Sequence, residues 1–66
     1  MEIQQLRYFL EVARLGNMTK AAEKLHIAQP ALSQSIKRLE QDLGAPVFQR
    51  NGKRIQLNHA GNVLLK

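Results

Sequence analysis

Cysteine is absent from this 66-residue chain, so no disulfide can staple it and no thiolate can hold a metal. Tryptophan is absent as well, and the aromatics amount to one tyrosine and two phenylalanines. Single-strand or RNA binding wants exposed rings for stacking, and only Tyr8 could serve. No apolar run approaches the ~18 residues of a membrane span, so no membrane partner is expected. The N-terminus carries Glu2, Gln4 and Gln5, unlike a signal peptide, and a cytoplasmic protein is expected. His26 and His59 lie far apart without acids at ligand spacing, which argues against a metal site. No nucleophile stands with a base, so neither catalytic residues nor a cofactor is expected. Acidic residues stop at Asp42, whereas Arg50, Lys53, Arg54 and Lys66 all follow it.

What is present is an ordinary globular composition, 44% apolar and 23% charged, enough for one small domain. Ten Lys and Arg against five Asp and Glu give a formal net charge of +5. A basic end with no compensating acid suits a polyanion such as nucleic acid, though it also serves plain solubility.

Apolar periodicity predicts a first helix over about 3–15, with Ile3, Leu6, Phe9, Leu10 and Ala13 on one face. Tyr8, Val12 and Leu15 read as a second stripe on nearly the opposite side, suited to a linker helix or a second subunit. Gly16 is a left-handed stop and Asn17 an N-cap for a second helix over about 18–25. Ala21 and Ala22 let another backbone cross that helix closely. His26, Ile27 and Ala28 make a turn. A third helix runs from Gln29 to Leu43, with Pro30 in its first turn, Gly44 as its stop, and Leu32, Ile36, Leu39 and Leu43 as its core stripe. Two helices crossing over so short a turn form a helix-turn-helix. Strands near 47–50 and 54–57 flank the turn signal Asn51-Gly52. Asn58 then caps a fourth helix with Ala60, Val63 and Leu64 on its apolar side. The expected fold is mainly α: a winged helix-turn-helix over 1–58, then the start of a truncated linker helix over 59–66.

Opposite the core stripe of the third helix fall Pro30, Gln34, Arg38 and Gln41, with Lys37 beside them. Glutamine can pair bidentately with an adenine edge, and Lys or Arg can reach phosphate. Gln29 and Ser33 lie at the exposed N-terminal end of the helix. Gln29 could instead cap the helix, and Ser33 could bond back to a helix carbonyl. Thr19 and Lys20 open the second helix and suit phosphate. Arg50, Lys53 and Arg54 gather at the hairpin, where they can lie along a minor groove or simply guard a sheet edge. A winged helix can also bind proteins instead of DNA. That alternative requires a contiguous exposed apolar patch, and Tyr8, Val12 and Leu15 are the candidates. Val63 and Leu64 complete the candidate set for dimer or linker-helix packing.

With those residues placed, the whole chain resembles the N-terminal DNA-binding domain of LysR-type transcriptional regulators. The resemblance rests on Leu6-Arg7-Tyr8-Phe9, on Thr19-Lys20-Ala21-Ala22-Glu23-Lys24-Leu25, and on Gln29-Pro30-Ala31-Leu32-Ser33 with Ile36. It continues through Leu39-Glu40, Leu43-Gly44, Phe48-Gln49-Arg50 and Leu57-Asn58 ahead of Ala60-Gly61. It implies sequence-specific reading of duplex DNA through Gln29, Pro30, Ser33 and Gln34, with the wing at Lys53 or Arg54. It implies a dimer or higher assembly paired by the linker helix, an interrupted palindromic operator, and a small effector bound only by a C-terminal domain absent from this sequence. Three positions depart from the family pattern. Ala28 stands where a hydroxyl cap is usual, Gln34 where arginine is frequent, and Asn58 where threonine is common.

Overall fold

The computed structural model describes residues 2–51 and 54–65, so Met1, Gly52, Lys53 and Lys66 lie outside it. Helix α1 (Ile3–Leu15) starts where the Glu2 N–H donates to the Gln5 side-chain oxygen at 3.1 Å. It ends at Gly16, whose φ of 65° is open to glycine at no steric cost, with the Gly16 N–H on the Val12 carbonyl. Helix α2 (Met18–Leu25) is capped by Asn17, whose side-chain oxygen accepts from the Lys20 N–H at 2.9 Å. It is terminated by His26 in the left-handed region, φ 58°. The turn from His26 delivers the chain to helix α3 (Gln29–Leu43), which has Pro30 in its first turn and Gly44 as its left-handed stop. Ala28 occupies the N-cap position and makes no side-chain cap, as its methyl group dictates.

Strands β1 (Phe48–Asn51) and β2 (Arg54–Leu57) pair antiparallel, with Phe48 across from Leu57 and Asn51 across from Arg54. Asn51 is therefore the last rung of the ladder rather than a turn residue, and β1 begins one residue later than periodicity suggests. The hairpin is tied to the helices at two points. The Ile55 N–H donates to the Gly16 carbonyl at 3.0 Å, and the Val47 N–H donates to the Glu40 carboxylate at 2.9 Å. Helix α4 (His59–Leu65) is capped by Asn58, which accepts from the Gly61 N–H at 2.8 Å. The Asn58 amide also donates to the Pro46 carbonyl, and its backbone N–H donates to the Val47 carbonyl.

One core holds the elements together: Phe9, Val12, Ala21, Ala22, Leu32, Ile36, Leu39, Val47 and Ile55. Burial of that apolar surface, at roughly 25 cal/mol per Å², is the main stabilising term. Ala21 and Ala22 are both buried, and α2 packs against α1 and α3. Phe9 and Phe48 meet with ring centroids 5.3 Å apart, tilted by 38°.

Two expectations about apolar faces need correction. Val12 is 0% exposed and belongs to the core, so it offers no free face to a second subunit. The two stripes on α1 are the flanks of one broad face centred on Gln5, Phe9 and Val12, all buried. Gln5 hides that centre in the sequence because it is polar. Its bond to Glu2 satisfies the acceptor that burial would otherwise leave bare. Tyr8 and Leu15 lie half-buried against the same core, while Ile3 and Leu10 fall outside the face at 78% and 48% exposure. On α3 the buried stripe is Leu32, Ile36 and Leu39, and Leu43 emerges at 39% exposure in the last turn.

Candidate nucleic-acid interface

The packing of α3 against α1 and α2 fixes which side of α3 remains outside. With Leu32, Ile36 and Leu39 turned into the core, the opposite arc carries Pro30, Gln34, Lys37, Arg38 and Gln41, all exposed. It has cations in its middle and uncharged groups toward its N-terminus. Thr19 and Lys20 are exposed on the first turn of α2.

Gln29 and Ser33 differ from that arc. Both are half-buried, and the Gln29 side-chain amide donates to the Ser33 hydroxyl at 3.1 Å. Gln29 therefore does not cap the helix, and Ser33 has a side-chain partner one turn away. The i, i+4 spacing permits this pairing, but the choice between it and the two alternatives is made only in three dimensions.

Ser33 also lines a crevice between the helices and the hairpin, together with Met18, Ile36, Lys37, Glu40, Phe48 and Ile55. The crevice sets the flank of α3 beside the wing. Arg54 is exposed on β2. Arg50 is placed by its backbone across from Ile55. The side chain of Arg50 and the whole of Lys53 lie outside the described residues. Glu40 has a positional role that the sequence does not signal. It lies on the inner flank of α3, and its carboxylate is committed to the Val47 N–H, which fixes the chain where it leaves α3 for the wing.

Among the described residues no three His, Cys, Asp or Glu side chains gather as a metal site. Among those residues, too, no helix is long and apolar enough to cross a membrane. Val63 is exposed and Leu64 half-buried on α4, beside Leu43, Ala45 and Ala60.

A helix-turn-helix with a two-stranded hairpin docked on it, and a fourth helix leaving from the hairpin, is a winged helix-turn-helix. Residues 3–62 match the model of the bacterial regulatory helix-turn-helix proteins of the lysR family. The chain belongs to that family.

Among its relatives, the uncharacterized HTH-type transcriptional regulator YybE of Bacillus subtilis is 53% identical over 66 residues, all of this chain and 23% of its own length. The HTH-type transcriptional regulator TfdT of Cupriavidus pinatubonensis is 46% identical over 65 residues, 98% of this chain and 28% of its own. The chain thus spans about a quarter of the length of these curated relatives. Among solved structures, the DNA-binding domain of CbnR in complex with DNA superposes with a TM-score of 0.93 at 43% identity, covering 98% of this chain and 75% of that one. A LysR-family regulator from Eggerthella lenta superposes with a TM-score of 0.91 at 46% identity, covering 98% of this chain and 93% of that one.

Proposed function

We propose that this chain is the sequence-specific duplex-DNA-binding domain of a transcriptional regulator. One observation carries the reading: Pro30, Gln34, Lys37, Arg38 and Gln41 on the outward side of α3 are all exposed, and apart from Pro30 all are polar or cationic. Its twin in the CbnR domain was solved on DNA. In this reading α3 enters the major groove, with Gln29, Pro30, Ser33 and Gln34 toward base edges. Lys37, Arg38, Thr19 and Lys20 meet phosphates, while Arg50, Lys53 and Arg54 carry the wing along the backbone or minor groove.

The domain proper is residues 1–58, and 59–66 begin the helix that links it onward. In the whole protein that helix pairs two subunits, with Val63, Leu64, Tyr8 and Leu15 contributing. A pair reads an interrupted palindrome with half-sites a whole number of helical turns apart. The effector is bound by the remainder of the protein, which works on the nucleoid in the cytoplasm. The protein-interaction alternative loses its support, because Val12, the centre of its patch, is 0% exposed.

The test is selection of duplexes from a random pool by the 66-residue chain, followed by titration in increasing salt. A common short motif, bound at least about 10³-fold more tightly than random duplex, is expected of a specific binder. Equal binding to every duplex would reduce the reading to charge attraction, and no binding would sink it.

A further inference from the structure

Helix α4 follows the hairpin in the chain, yet its first turn is tied to a segment that precedes the hairpin. The Asn58 side-chain amide donates to the Pro46 carbonyl at 2.8 Å, and the Asn58 backbone N–H donates to the Val47 carbonyl at 3.0 Å. Gly61 presents no side chain to the Val47 carbonyl, so α4 lies directly against it.

The same segment is tied on its other side to α3. The Glu40 carboxylate accepts from the Val47 N–H at 2.9 Å, and the Glu40 carbonyl accepts from the N–H groups of Gly44 and Ala45. Val47 is buried in one core with Leu32, Ile36 and Leu39 of α3. One residue of α3 thus holds the strip from Gly44 to Val47, and Asn58 holds α4 to the far end of that strip. Bonds to neighbouring residues from two directions resist tilting, where a single bond would act as a swivel.

We infer that Glu40 and Asn58 are positioning residues: through Pro46 and Val47 they fix the direction of α4 to that of α3, past the hairpin rather than along it. The coupling stands on the fold. Its use rests on the DNA-binding reading above, in which α3 enters the groove and α4 leads to the other subunit. Two heads joined at α4 then present their α3 helices at a set angle, and the pair accepts one half-site spacing. A swing of α4 carries α3 with it.

The chain has no cysteine, so a pair of cysteines introduced at exposed positions takes spin labels specifically. One pair, Ala31→Cys with Val63→Cys, spans α3 and α4, and a second, Ala31→Cys with Arg14→Cys, spans α3 and α1; all three positions are exposed. Pulsed electron double resonance on the free 66-residue chain reads the distance distribution of each pair. The α3–α4 pair is expected to give one narrow peak. Asn58→Asp keeps an oxygen for the Gly61 N–H but has no N–H for Pro46, and the fraction outside that peak rises about fivefold, the equivalent of one ordinary hydrogen bond. Glu40→Ala raises it about tenfold or more, because the acceptor it removes is charged. Glu40→Gln keeps an acceptor for the Val47 N–H and stays close to the original. The α3–α1 pair stays narrow in every variant.

An unchanged α3–α4 distribution in Asn58→Asp overturns the inference. So does a Glu40→Ala chain that loosens α3–α1 as much as α3–α4, or a Glu40→Gln chain as loose as Glu40→Ala. Should Glu40→Ala fail to fold, Asn58→Asp, which keeps the helix cap, decides alone. The distances are measured without DNA, so their failure removes the coupling and leaves the DNA-binding reading standing. A chain that selects no duplex motif removes that reading and leaves the coupling in place.

Discussion

Replacing Phe9 by alanine empties the place where it meets Phe48, in a core with Val12, Leu32 and Leu39 fully buried around it. Its neighbour Leu10 lies half in solvent. Phe9→Ala is expected to cost about 3–5 kcal/mol, enough to unfold much of so small a domain. Leu10→Ala is expected to stay within about 0.5 kcal/mol. Urea unfolding followed by circular dichroism separates the two, and comparable losses would mean that the face of α1 is centred elsewhere. Periodicity alone groups these two adjacent residues on one face, because Gln5 carries no apolar mark. The position of a buried, hydrogen-bonded glutamine depends on what packs over it, and no local pattern records that.

At the scale of the helix, the ends are where side chain and backbone meet locally. Asn17, Gly16, Gly44 and Asn58 all act where the sequence places them, since each needs only its own neighbours. Ala28 is the vacancy in that set. Its extended backbone, φ −69° and ψ 141°, already suits a capping hydroxyl. Ala28→Ser is expected to raise stability by about 1 kcal/mol, seen as a higher thermal midpoint. A midpoint that stays put would show that the first turn of α3 is satisfied in another way. His26 was not legible as a left-handed residue, although histidine is one of the side chains that visit that region more often than most. The Glu40–Val47 bond escaped for a different reason. It spans seven residues and exists only once the chain has folded back along α3. Most of the fold was thus readable, and the outward arc of α3 with it. The pairing of Gln29 with Ser33 was not, because spacing permits it without requiring it.

For the molecule as a whole, charge acts at long range and is tested in solution rather than at one contact. Neutralising Lys53 and Arg54 together is expected to weaken binding to every duplex. Each lost phosphate contact lowers the slope of log affinity against log salt by about 0.9. A salt titration of the double variant against the original chain reads this directly. An unchanged slope would return the wing cations to the role of guarding a sheet edge. Two copies joined by a flexible tether are expected to bind a two-half-site duplex about 10²-fold or more tighter than one copy, because the second contact becomes intramolecular. Equal affinity in a fluorescence titration would mean that a single head already makes the complete contact.

Gly61 lies buried in α4, and a methyl group there would come within 2.2 Å of the Val47 carbonyl oxygen and 2.8 Å of the Leu57 side chain. In an open helix, glycine to alanine gains about 1 kcal/mol. Here the sign reverses: Gly61→Ala is expected to lower the thermal midpoint, and a rise would show that α4 can slide clear of β2. For anyone grafting this head onto another helical shaft, the seam therefore belongs after residue 61, not at the helix start. A foreign helix spliced earlier would bring a side chain into the joint and tilt the shaft. One spliced later inherits its direction from Asn58, Gly61 and Val47, whatever sequence follows.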